Sequence, residues 1–105
     1  MELDKKLKEA TLLIEKATAA NCDGWQISRF IPNLNVLFLC GFDEPFRLKS
    51  FLAFGGVRFI DLPKTLIRPE FTFEAKDLIL TFHLNSESVQ GIVKCEGAFF
   101  ILKKM

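Results

Sequence analysis

From Phe71 to Leu102 apolar residues fall on every second position in four successive segments. They are Phe71, Phe73, Ala75; then Leu78, Leu80, Phe82, Leu84; then Val89, Gly91, Val93, Cys95; then Ala98, Phe100, Leu102. A period of two places each set on one face of an extended strand. The interruptions, Lys76-Asp77, Asn85 to Ser88 and Glu96-Gly97, are turn-forming. As an antiparallel meander the segments share one apolar face. Phe71, Phe73 and Ala75 then oppose Phe82, Leu80 and Leu78. Leu78, Leu80, Phe82 and Leu84 oppose Cys95, Val93, Gly91 and Val89. Cys95, Val93 and Gly91 in turn oppose Ala98, Phe100 and Leu102. A one-residue slip would turn the whole set to the other side, so the parity of the pairing is tightly specified.

The opposite face is mixed. It carries Thr72, Glu74, Ile79, Thr81, His83, Gln90, Ile92, Lys94, Phe99, Ile101 and Lys103. In this register Ile79, Ile92, Phe99 and Ile101 form a patch, expected to be covered by a helix or a partner. His83 falls opposite Gln90, with Lys103 beside them, in a polar row able to hold an anionic head.

Upstream, residues 2–20 read as a helix. Leu3, Leu7, Ala10, Ile14 and Ala17 form one stripe, widened by Leu13, and Asn21 to Gly24 supply the stop. Beyond Gly24 the chain reads as strand, at 25–31, 35–42, 46–54, 57–62, 71–75, 78–84, 89–95 and 98–103. Asp43-Glu44-Pro45 marks one turn, and Gly55-Gly56 is expected to close a two-residue hairpin that sets Asp61 near Ser50. The segment 64–68, between Pro63 and Pro69, has no firm assignment.

These signals predict a single α+β domain over 1–105. The N-terminal helix packs on a strongly bent antiparallel sheet of about six to eight strands, sandwich-like or a half-barrel, with a meander in the C-terminal half.

Candidate chemistry is sparse. His83 is the one histidine, so a multi-histidine metal site within the chain is excluded, and no metal or cofactor is expected. The meander holds His83 and Cys95 on opposite faces, roughly 17 Å apart along the strands, which rules out a dyad between them. Cys22, Cys40 and Cys95 are widely spaced and read as reduced, buried thiols. No carboxylate pair has a setting that would split two pKa values, and no phosphate-binding glycine motif occurs. Between Pro45 and Pro69, Arg47, Lys49, Arg58, Lys64 and Arg68 stand against Asp61 alone, interleaved with Phe46, Phe51, Phe54 and Phe59. That pattern evokes a surface for single-stranded nucleic acid. The whole chain, with 14 basic and 13 acidic residues, lacks a global electrostatic footprint for it.

Half the residues are apolar, including 12 Phe against one Trp and no Tyr. That is more apolar matter than a small core needs, and it points to a self-association surface or a greasy pocket. The expected function is a cytoplasmic, non-enzymatic protein-interaction domain that forms a homodimer or binds another protein. The alternatives are a domain for a small hydrophobic ligand and a weak nucleic-acid binder. The candidate binding residues are Trp25, Arg58, His83, Gln90, Ile92, Phe99, Ile101 and Lys103. No apolar run approaches the roughly 20 residues of a membrane span.

Overall fold

The computed structural model describes residues 2–43, 47–87 and 89–102, with backbone alone at 2 and 99–102. Helix α1 runs Glu2–Ala20, as the stripe predicts. Asn21 ends it in the left-handed region (φ 49°), its N–H donating to the Thr18 carbonyl. Nine strands follow among the described residues: β1 Gly24–Ile31, β2 Val36–Asp43, β3 Arg47–Gly55, β4 Phe59–Asp61, β5 Thr65–Ile67, β6 Glu70–Lys76, β7 Ile79–Asn85, β8 Gln90–Cys95 and β9 Gly97–Leu102. They form a five-stranded sheet, order β5-β1-β2-β3-β9, and a four-stranded sheet, order β4-β8-β7-β6. The whole is a helix packed on a curled antiparallel half-barrel. The unassigned segment 64–68 contains β5, a three-residue strand on the edge of β1.

The parity of the meander holds, but its register moves by two residues. Phe71, Phe73 and Ala75 oppose Leu84, Phe82 and Leu80; Leu80, Phe82 and Leu84 oppose Cys95, Val93 and Gly91. The turn sits at Asp77-Leu78, both at positive φ (51° and 65°), rather than at Lys76-Asp77. A two-residue antiparallel turn of this kind needs left-handed residues, and Asp tolerates that conformation better than Lys. The apolar Leu78 is thereby taken out of the strand, and its carbonyl accepts a hydrogen bond from Lys6 Nζ at 2.8 Å.

Two further expectations are corrected. Residues 97–102 do not fold back on β8; they pair with β3, and β4 takes the place beside β8. Nor does Gly55-Gly56 close a hairpin. It carries the chain out of the five-stranded sheet, while Glu96-Gly97, alongside it, carries the chain back. Gly55 pairs with Gly97, the Glu96 N–H donates to the Gly55 carbonyl at 3.0 Å, and Arg58 N–H donates to the Lys94 carbonyl at 2.8 Å. Residues 47–61 and 92–102 are thus one two-stranded ribbon, bent at this corner, that runs through both sheets. Asp61 consequently pairs with Ile92, far from Ser50.

The core lies between the sheets and under α1. Ala10, Leu13 and Ala17 of the helix join Leu37, Leu39, Leu52, Phe54, Leu80, Phe82 and Val93. Phe54 of one sheet meets Phe82 of the other edge-on at 5.3 Å, and Trp25 meets Phe71 at 5.6 Å and 83°. The helix contacts β9, β6 and β3, and so fills the gap between the sheets on the side away from β4 and β5. It does not cover the mixed face.

Gly56 holds φ +62° at the corner, where an added Cβ would come within 2.8 Å of Glu96 Cβ. A Gly56→Ala chain should lose about 1–2 kcal/mol, the usual cost of a left-handed L-residue, read as a lower urea midpoint with unchanged slope.

Candidate functional site

The two sheets differ in what they turn outward. On the four-stranded sheet, Thr72, Glu74, Thr81, His83 and Lys94 form a polar outer face, with Ile79 and Ile92 half-buried among them. Exposed Phe59 completes it, with Lys94 Nζ 6.0 Å from the centre of its ring. His83 lies opposite Ile92, not Gln90, and its Nε2 is 3.8 Å from Glu74 Oε1. Gln90 sits opposite Asn85, at the sheet's end. Lys103 lies outside the described residues. Position 101, just before it, belongs to the other sheet, so the row of His83, Gln90 and Lys103 does not form.

The outer face of the five-stranded sheet is apolar. Gly24, Phe42 and Leu48 form one cross-strand row. Gln26, Cys40, Phe51 and position 101 form the next, and Arg29, Phe38, Ala53 and position 99 the third. Ile31 and Val36 close the set. Opposed residues share a face, so these side chains turn away from the core. Phe38, Phe51, Leu48, Val36 and Ile31 are half-buried, while Cys40, Phe42 and Ala53 are shielded. Phe99 and Ile101, expected in one patch with Ile79 and Ile92, occupy register positions on this other sheet instead.

The remaining candidates serve structure. Trp25 is 1% exposed and lies in the core. It packs against β2, where a Cβ on Gly41 would sit 2.8 Å from the indole. Arg58 spends its guanidinium on Glu96 Oε2, at 2.9 and 3.3 Å. Arg68 pairs with Asp23 at 2.6 Å and Lys49 with Asp43 at 3.2 Å, which holds the Asp43 carboxyl below its ordinary value. Three of the five cations of the basic stretch are therefore engaged. Its aromatic residues also diverge, with Phe51 on one outer face, Phe59 on the other and Phe54 in the core, so no stacking platform for a single strand is assembled.

A cavity of about 380 Å³ opens where α1 ends. Ala17, Thr18, Asn21 and Cys22 form one wall, and Trp25, Arg68, Pro69, Glu70 and Phe71 the other. A shallower groove follows α1 along Leu7, Thr11, Leu12 and Glu15.

The thiols are quiet. Cys22 Sγ lies 3.6 Å from Ser50 Oγ, the one buried polar side chain among the described residues, and burial raises its pKa. Burial pushes Cys95 up to about 12. Cys95 lines the core and His83 the outer face, so the two do not meet. Among the described residues no group of His, Cys, Asp and Glu is placed to hold a metal ion, and no helix is long and apolar enough to cross a membrane. No known family, curated protein or solved structure matches this chain.

Sequence did not single out Phe38, Cys40, Phe51 and Ala53, nor Asn21, Arg68 and Glu70. The first set did leave a signal, the unbroken apolar run Val36 to Phe42. The second set is gathered by contacts remote in sequence and leaves none.

The Cys95 thiol stays protonated in the fold up to about 12, whereas in the unfolded chain it ionises near its ordinary 9.0. Between those values the unfolded state binds fewer protons, so stability falls as pH rises through that window. The urea midpoint should drop from about pH 8 to about pH 10, and the drop should be smaller in Cys95→Ala.

Proposed function

We propose that the protein is a non-enzymatic interaction module that pairs with a second copy of itself through the outer face of its five-stranded sheet. The observation that carries this reading is the contrast between the outer faces, one polar and one apolar across four strands. Half-buried Phe, Val, Ile and Leu side chains on one continuous face are the usual mark of an association surface.

The occupant follows from charge and size. Arg29, on the β1 side, is the one charged residue in the rows of this face, so two copies face each other without repulsion. A polar or strongly charged partner would find few groups to pair with. Four strands about 4.8 Å apart and eight residues at about 3.3 Å each span roughly 19 by 26 Å, about 500 Å² of flat sheet. Side-chain relief raises the accessible area toward the roughly 800 Å² per partner of a stable interface. Two such sheets pack face to face about 10 Å apart, with their strands nearly aligned. The free edges suit pairing less well. The β1 edge beyond β5 has a bulge between Ile27 and Arg29 and a charge at Arg29, both of which hinder strand addition.

Analytical ultracentrifugation of the wild-type chain should give the mass of two chains at micromolar concentration. Phe51→Glu should be monomeric with an unchanged circular dichroism spectrum. A two-fold contact carries the substitution twice, so a loss of about 2 kcal/mol per side weakens pairing by roughly a thousandfold. A wild-type monomer at high concentration, or a dimer indifferent to Phe51→Glu, would refute the proposal.

A further inference from the structure

We infer that the cavity at the end of α1 is a binding site for a small organic cation, a protonated amine carrying an apolar or aromatic body. The inference is independent of the self-association reading, because the cavity lies between the helix end and the β5–β6 connection, away from the outer sheet face.

The size of the cavity, about 380 Å³, lies within the range of about 300–1,000 Å³ typical of small-ligand sites. Its deep wall is apolar. Trp25 and Phe71 are buried and locked edge-to-face, and Ala17 and Pro69 add a smooth lining. That wall is held rigidly from behind, since Gly41 lets the indole and Cys22 Sγ lie directly on β2. A ligand body therefore meets a preformed surface and orders little on binding.

The rim sets the charge. Arg68 is committed to Asp23, with a contact of 2.6 Å between side chains and an Arg68 N–H to Asp23 carbonyl bond of 3.1 Å, so this pair contributes no net charge. Glu70 has no ion pair or hydrogen bond to its side chain, and its carboxylate stands on the rim. The C-terminal end of α1, with its partial negative charge, closes the same side, and no basic residue occupies the last helical turn to offset it. Asn21 and Thr18 add neutral acceptors to the rim. A carboxylate, a helix C-terminus and neutral acceptors around an apolar wall attract a cationic head and repel an anionic one.

Phenethylamine is the probe and phenylacetate its anionic counterpart of similar size. The chain's single tryptophan lines the cavity, so its emission and its indole N–H resonance report occupancy directly. The expected result is a saturable response to phenethylamine in the millimolar range, with amide shifts centred on Ala17, Thr18 and Phe71, and no saturable response to phenylacetate. Glu70→Gln, at an exposed position, should weaken binding roughly tenfold, the effect of losing one charge-assisted hydrogen bond. Thr18→Lys, also exposed, places a tethered ammonium over the cavity and should abolish the response. Equal responses to the two probes, no saturation, an unchanged affinity in Glu70→Gln, or shifts mapping elsewhere would each overturn the assignment. Sedimentation of the same samples keeps this test separate from self-association.

Discussion

The fold turns on one corner. At Gly55-Gly56 and Glu96-Gly97 two antiparallel segments leave one sheet and enter the other together, still bonded to each other. Because the pairing is not broken there, the two sheets cannot slide or separate without tearing the ribbon that belongs to both. The bend needs residues that yield: Gly56 takes a left-handed conformation, and Gly55 and Gly97 leave open space around their α-carbons. The exposed Arg58–Glu96 pair spans the same corner, where its contribution is small beside that of the backbone. With this side joined, the short strands β4 and β5 bridge the sheets on the other side of the ribbon, and α1 fills the remaining gap beside β9 and β6.

That closure leaves a dry interior, and dryness limits the chemistry. Twelve phenylalanines bring aromatic bulk without a hydroxyl to satisfy, and the interior of this fold has almost no polar partner to offer. Ser50 is buried beside a thiol, and Cys95 is held in its neutral form by lost solvation. Neutral thiols are poor nucleophiles and poor metal ligands. Charged side chains line the periphery, where several satisfy one another. The places left for specific contact are therefore a face that is apolar and a rim whose carboxylate has no partner.

How much of this is legible in the sequence depends on the range of the contact. The helix over 2–20 and the parity of β6, β7 and β8 follow from periodicity, because one face of each element must leave water. The register does not. Moving a hairpin by two residues keeps every apolar residue on its face, so only the backbone preference at Asp77-Leu78 chooses between the alternatives. The partner of β9 is harder still. Glu96-Gly97 carries the same local signal whether it closes a hairpin or bends a strand between sheets, and the choice rests on β3, more than forty residues earlier in the chain. The same ambiguity at Gly55-Gly56 moves Asp61 away from Ser50 and divides the basic stretch between two sheets.

The apolar outer face was, in contrast, written locally. Strands β6, β7 and β8 alternate strictly, as a sheet does when one face meets a core and the other meets water. Val36 to Phe42 does not alternate; Leu37 and Leu39 serve the core while Phe38, Cys40 and Phe42 lie on the other side. A continuous run of this kind belongs to a strand covered on both faces. The half-barrel supplies one cover, since the second sheet and α1 lie on the same side of β2. The other cover has to come from outside the described fold. The sequence thus distinguishes the two sheets before their topology is known, and it assigns the unmatched apolar surface to the central strand of the five-stranded sheet rather than to the meander where the alternation is most conspicuous.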